Sequence, residues 1–306
     1  MKNIFLIFFS FCILLTFSSC DFVTVPEQGS VGPTGSTGTT VQKKVLLEDY
    51  TGHKCPNCPS AGVIANSILA ANPEKVVAIA VHAGWYATPN TTGTQYLADF
   101  QTTAGDAYDT FFDISGNWGN PNGLVDRTQF GASTSNPVQA PGGWASYVSA
   151  ELARPALAKI EITNTYNSAT RNLSCNVVST FLFDTLSGGP YKLIVLLTQD
   201  SIIADQEDGS IYIPNYIHRH VLRDNLNGTW GENLNTGAIT ANAPLSKTYN
   251  YTIPSTYPAA GGPSSTVCDV SKCHIVAFIY NDANNPVGPN SVSTKEVIQV
   301  EEKKVQ

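Results

Sequence analysis

Residues 76–81 read VVAIAV, six apolar residues in succession. A half-buried strand alternates polar and apolar positions, so an unbroken short run predicts a central strand covered on both faces, as in parallel sheets flanked by helices. The preceding sequence agrees. Lys44–Tyr50 (KVLLEDY) is a short apolar strand. Between the two strands Ala61, Ile64, Ala65, Ile68 and Leu69 fall at i, i+3, i+4, i+7 and i+8, one helical stripe that Asn72-Pro73 ends. Strand, helix and strand in this order predict a βαβ unit and hence an α/β sheet domain. A second helical region within Gln95–Phe112, the loop GNWGNPN, a strand over Gly123–Arg127 and a helix over Trp144–Ala153 complete this half.

After Arg154-Pro155 the pattern changes. Segments 157–167, 172–183, 190–198, 216–223, 247–253, 274–281 and 293–300 all read as strands, separated by Gly, Pro, Asn and Asp clusters. About seven strands in roughly 150 residues predict an antiparallel β-sandwich of immunoglobulin-like size. The length of 306 residues allows about two domains, and the boundaries expected are 43–155 for the α/β domain and 156–306 for the sandwich.

The N-terminus carries a targeting signal. Residues 1–20, MKNIFLIFFSFCILLTFSSC, place Lys2 before an apolar stretch from Ile4 to Phe17 and small residues before a cysteine. Ser18-Ser19-Cys20 resembles a bacterial lipobox, with Phe17 where leucine is usual. Residues 1–19 are therefore expected to be removed and Cys20 acylated; an ordinary secretory signal cut nearby is the alternative. Residues 20–42 then form a lipidated cysteine and a flexible Gly/Ser/Thr/Pro-rich tether. This predicts an outer membrane lipoprotein, on the periplasmic or the cell-surface face. No later apolar run reaches membrane-spanning length. A formal net charge of −7 supplies no basic surplus for phosphates, which argues against nucleic acid as a partner.

Once Cys12 leaves with the signal and Cys20 is acylated, Cys55, Cys58, Cys175, Cys268 and Cys273 remain. Cys268 and Cys273 are close enough to bridge a small loop as a structural disulfide in an oxidising compartment. Cys175, on the strand face of Leu173 and Val177, reads as a buried small hydrophobe. Cys55 and Cys58 form a C-x-x-C that follows a strand and opens a helix, where backbone N–H groups and the helix dipole favour a thiolate. His53 and Lys54 stand beside it as possible positive charges. A static disulfide and a zinc site using Cys55, Cys58, His53 and His82 are the alternatives; Cys268, Cys273 and His274 lack a fourth zinc ligand. His218 and His220 are expected on one face of a strand, with Arg219 and Arg223 on the other. DQEDGS (205–210) reads as a turn with oxygen ligands but without the spacing of a calcium loop.

The segment LLEDYTGHKCPNC is similar to the strand-to-active-site segment of thioredoxin-like proteins. The resemblance places Asp49 at that family's buried aspartate and Pro121 of GNPNGLVDR at its cis-proline. Lys54 departs from the family's tryptophan, and Pro59 directly follows the second cysteine. More narrowly, the lipoprotein signal, EDYTGHKCPNCP, IAVH (79–82), PNGLVDR and IHRHVLRDNLNGTWGE (217–232) together resemble the outer membrane protein 28 family of Bacteroidetes lipoproteins. That likeness implies a thioredoxin-like α/β domain joined to the immunoglobulin-like sandwich. The thioredoxin resemblance implies thiol–disulfide exchange, here on exported protein clients, with Cys55 attacking, Cys58 resolving, Asp49 moving the proton and Pro121 shaping the groove; no cofactor or metal enters. The alternative is a non-catalytic surface lipoprotein, an adhesin or outer-membrane complex subunit with a structural Cys55–Cys58 disulfide.

Overall fold

Two strands are buried along their whole length, β1 (Val45–Thr51) and β2 (Val76–His82). They pair in parallel, with Val45 opposite Val76 and Thr51 opposite His82, and the crossover is α1 (Cys58–Ala71). The helix stops at Asn72, whose backbone N–H returns to the Leu69 carbonyl ahead of Pro73. α2 (Thr103–Phe112) begins where the Thr102 hydroxyl accepts the Gly105 N–H at 2.9 Å. β3 (Asn122–Val125) runs antiparallel to β1, and α3 (Trp144–Leu152) follows. The computed structural model describes residues 41–130, 136–184, 191–235, 237–282 and 295–306. The expected signal 1–19, Cys20 and the tether up to residue 40 lie outside them, and Val41–Gln306 form one compact unit.

The rest of the described chain is built from strands: β4 (Ala158–Asn167), β5 (Asn172–Phe181), β6 (Tyr191–Gln199), β7 (Ile202–Asp208), β8 (Ile211–His218), β9 (Val221–Asn225), β10 (Glu232–Asn233), β11 (Pro244–Thr252), β12 (Thr256–Tyr257), β13 (Thr266–Val267), β14 (Cys273–Asn281) and β15 (Val297–Lys304). Instead of forming a sandwich set apart from the α/β half, four of them extend its sheet in the order β15-β14-β6-β9-β2-β1-β3, with β10 at the side of β6. The join is narrow: Ala80 of β2 pairs with Val221 of β9, and the Ala80 N–H donates to the His220 carbonyl at 2.8 Å. β11, β5 and β4 form a separate antiparallel sheet.

The expected strand over 216–223 is in fact two. β8 ends at His218, and His220 turns the chain with φ of 53° into β9, so His218 and His220 do not share a strand face. DQEDGS likewise belongs to β7 and the turn that follows it.

Alternation sorts the core into layers. Val45 and Leu47 of β1 face Ala61, Ala65 and Ile68 of α1 and Trp144 of α3. Leu46 and Tyr50 point the other way, into a cluster with Tyr108 and Phe112 of α2 that continues through Ile194 and Leu196 of β6 to Val276 and Phe278 of β14. Leu193, Val195 and Leu197 of β6 meet Ile160, Leu173 and Val177 of the three-stranded sheet. Cys175 is fully buried in that layer, and burial pushes its thiol up to about 11. In the α2 layer Arg127 donates to both oxygens of Glu48, at 2.7 and 2.8 Å, and both side chains are completely shielded from solvent.

Candidate thiol–disulfide site beneath a hairpin

Cys58 is the first residue of α1, and Cys55 lies two residues before the Asn57 cap. The two form a disulfide with a Cα–Cα separation of 5.4 Å. The Cys55 N–H donates to the Gly52 carbonyl at 3.0 Å and the Cys58 N–H to the Cys55 carbonyl at 3.3 Å, which wraps the loop tightly after β1. Gly52 is required there, since a Cβ would sit 2.5 Å from the Tyr86 carbonyl carbon.

Both cysteines are covered, Cys55 at 0% and Cys58 at 3% exposure. The cover is the β7–β8 hairpin, a two-stranded sheet of its own. Gln206 Nε2 donates to the carbonyls of Cys55 (3.1 Å) and Gly52 (3.3 Å). The Glu207 N–H donates to the His53 carbonyl and the Gly209 N–H to the Pro56 carbonyl, each at 2.8 Å. The outer side of the hairpin exposes Ile203, Ile211 and Ile217. Sequence reasoning missed this element because DQED reads as loop; the signal that was present is the strand pattern of IYIPNYIH directly after it.

Positive charge beside Cys55 is not what the histidine supplies. His53 is buried, chiefly desolvated, and its pKa is lowered to about 3, so it is neutral. It belongs to a buried ring cluster in which Phe100 lies 4.8 Å from both His82 and His218 and 6.2 Å from His53. Burial lowers His218 to about 4 and holds His82 well below the usual imidazole range. Neither ring nitrogen of His53 has a hydrogen-bond partner, while His218 Nε2 meets the Asp205 carbonyl at 3.2 Å. Among the described residues, no three His, Cys, Asp or Glu side chains come together as a metal-binding group. Lys54 turns outward, its ammonium 5.5 Å from the centre of the exposed Trp85 ring.

Asp49 is buried beneath α1, its Oδ1 without a partner, and desolvation raises its carboxyl from 3.8 to about 7. It lines a cavity of about 50 Å³ together with Cys58, Gly62, His82, Gln206 and Tyr216. Pro121 follows a cis peptide bond in the turn before β3. Asn120 Nδ2 ties that turn to the Thr51 and Ala83 carbonyls at 3.3 and 3.4 Å, at the end of the sheet where the C-x-x-C loop leaves β1. Cys268 and Cys273 lie elsewhere, in the layer between the sheets, with their sulfurs 3.7 Å apart and unbonded.

These features define a mixed α/β protein, mostly strands, with a disulfide at a strand–helix junction. Residues 105–306 match the family of outer membrane protein Omp28, and the chain belongs to that family, whose place is the outer membrane. Pro121, the hairpin and Cys268–Cys273 fall within the matched stretch; Asp49, Cys55 and Cys58 precede it. No helix among the described residues is long and apolar enough to cross a membrane. The structure is similar to HBP35 of Porphyromonas gingivalis, with a TM-score of 0.62 and 16% identity over 88% of this chain and 76% of that one, a likeness of fold. A protein from Agrobacterium tumefaciens superposes with a TM-score of 0.46 and 10% identity, over 88% of this chain and 97% of that one. No curated protein matches the sequence.

Proposed function

We propose that this protein is a thioredoxin-like thiol–disulfide exchange protein, tethered to the envelope through an acylated Cys20 and acting on exported proteins through Cys55 and Cys58. On this reading residues 43–155 supply the thioredoxin-like unit, and residues 156–306 the immunoglobulin-like β half that offers a client its docking surface. The observation that carries the proposal is Asp49. A buried carboxyl without a full set of hydrogen bonds is a standing cost to stability, and a static disulfide has no use for it. Beside Cys58, with a pKa raised to about 7, it is suited to take and return a proton at neutral pH.

The chemistry balances without a cofactor. In the reduced protein the Cys55 thiolate attacks a client disulfide, forming a mixed disulfide and releasing one client thiolate, which takes a proton from water. Cys58 then gives its proton to the Asp49 carboxylate and attacks the Cys55 sulfur. That restores the Cys55–Cys58 disulfide and expels the second client thiolate, which the Asp49 proton neutralises. The reverse sequence oxidises a client dithiol. Because Cys55 is fully covered, either direction requires the 202–218 hairpin to release its hydrogen bonds to the C-x-x-C loop. That same cover favours a second reading, a non-catalytic outer-membrane complex subunit or adhesin in which the disulfide only secures the loop.

Asp49→Asn separates the two. If Asp49 is the proton carrier, reduction of a model protein disulfide by the pre-reduced variant slows by about 100-fold, the low end of what a positioned general base contributes, while its melting temperature holds or rises. Equal exchange rates for variant and wild type would remove Asp49 from the mechanism, and no exchange by either would leave the non-catalytic reading standing.

A further inference from the structure

We propose that Cys268 and Cys273 are a second, reversible dithiol–disulfide couple, independent of Cys55–Cys58, in which the buried Arg223 guanidinium balances the charge of a Cys268 thiolate. The two cysteines bracket the short turn Val270–Lys272, whose start is fixed by the Asp269 carboxylate accepting the Ser271 N–H at 3.0 Å. Their sulfurs approach to 3.7 Å, and Cys273 Sγ also reaches the Asp269 carbonyl at 3.4 Å. A disulfide requires the sulfurs to approach to about 2.05 Å, so each side chain must move on oxidation.

Arg223 is what distinguishes this pair from a plain staple. It is 3% exposed, and among the described residues no carboxylate forms an ion pair with it. One of its terminal nitrogens donates to Thr266 Oγ1 at 2.9 Å, while Nε and the other terminal nitrogen have no partner. Its guanidinium carbon lies 4.7 Å from the centre of the Tyr257 ring. A cation buried in this way is costly unless a negative charge answers it. Of the groups around it, Tyr257 and Tyr251 are held protonated by burial, and the Asp99 carboxylate acts on it only from beyond ion-pair distance. Cys268, 3.7 Å from Cys273 Sγ, is a group that can supply the charge: the contact with Cys273, and then Arg223 and Arg171, favour its thiolate against its burial and the repulsion of Asp269. The burden falls on Cys273, which is held firmly as the thiol. Thiolate, neighbouring thiol and cation together stabilise the reduced form, which makes a disulfide between them easier to reduce than a structural one. Both cysteines are buried, Cys268 at 2% and Cys273 at 0% exposure, so a small disulfide reaches them only when the β12–β13 ribbon, where Val267 next to Cys268 is 70% exposed, opens.

The couple turns over with a low-molecular-weight disulfide as oxidant. The Cys268 thiolate attacks it, forming a mixed disulfide and expelling one small thiolate, which accepts the Cys273 proton. Cys273 then attacks the Cys268 sulfur and releases the second small thiolate. The protein dithiol loses two electrons, and the small disulfide gains them.

The test is equilibration of the full chain in mixtures of reduced and oxidised glutathione, followed by alkylation and peptide-resolved mass measurement of Cys268 and Cys273. The ratio of dithiol to disulfide is expected to follow the buffer. Arg223→Met should shift that ratio toward disulfide by about tenfold, the equivalent of one pKa unit of lost thiolate stabilisation, and Arg223→Lys should recover part of it. A pair that stays wholly oxidised or wholly reduced across the mixtures, or a ratio that Arg223→Met leaves unchanged, overturns the proposal. Should Arg223→Met fail to fold, thiolate ultraviolet absorbance against pH, wild type minus Cys268→Ala, decides: a midpoint below the free-cysteine value of about 8.5 supports the couple and one above it refutes it.

Discussion

Replacing Arg127 with leucine is expected to lower the unfolding free energy by about 3–5 kcal/mol, the range seen when one partner of a buried ion pair is removed. Glu48 on β1 would be left as an unanswered charge with no access to water. The loss reaches beyond the pair, because the guanidinium is enclosed by the rings of Tyr108, Phe278, Phe112 and Tyr280 at 5.0, 5.1, 5.3 and 5.9 Å. Those rings come from α2 and β14, so Arg127 ties the C-x-x-C half of the sheet to strands more than 140 residues further along the chain. Glu48→Met combined with Arg127→Leu should recover most of the stability, since two apolar side chains leave no charge behind. Denaturant unfolding of the two single variants and the double variant measures this directly. Singles as stable as the double would show that the pair is not what holds this layer.

Acid should act first on the ring cluster behind the disulfide. His53, His82 and His218 are buried and neutral, with pKa values lowered by desolvation to about 3 for His53 and about 4 for His218. In the unfolded chain each titrates near 6.5. Between about pH 6.5 and 4 the unfolded state therefore binds more protons, and stability falls as pH falls, by up to about 1.4 kcal/mol per pH unit for each histidine. Two carboxyls work in the opposite sense. Asp49 and Asp126, both raised to about 7 by burial (for Asp126 against the pull of the Lys43 ammonium), take up their protons in the folded state first and add stability as pH drops from 7 toward 4. The histidine share is isolated by His53→Phe, which keeps a ring in a site where neither imidazole nitrogen is hydrogen-bonded. Urea unfolding from pH 7 to 5 should show the variant losing less stability than wild type, by about 2 kcal/mol over the whole range. Parallel profiles would mean that His53 gains solvent or a proton in the native state.

Local elements were legible in the sequence wherever burial leaves a period. The apolar stripe from Ala61 to Leu69, the unbroken VVAIAV and the alternation of 158–167 and 172–181 each became the element expected, because one or both faces are covered. How the elements pair left no such trace. The change of pattern near residue 155 marks a change of local structure and not an end of the sheet, since the joining pair, Ala80 with Val221, links segments that periodicity treats separately. The hairpin cover escaped for a related reason. Gln206 is buried because its amide serves the carbonyls of the C-x-x-C loop, and a polar residue buried to satisfy a distant backbone looks in sequence like any residue of a turn. Likewise His53 and Lys54 beside Cys55 read as positive charge, whereas packing against Phe100 and Tyr96 makes the histidine neutral and the lysine leaves for Trp85. Trp230, within the NLNGTWGE run that sequence reads only as a motif, packs on Tyr108 and Phe111 at 5.1 and 5.2 Å.

The reduction potential of Cys55–Cys58 tests the exchange function most directly. Equilibrating the protein in a series of thiol–disulfide buffers and reading the two cysteines by peptide-resolved alkylation gives it without interference from the other thiols. A value between about −120 and −270 mV, the range of known exchangers, is predicted. A value below about −300 mV, with no exchange against a model disulfide, would mark a structural staple and contradict the proposed function.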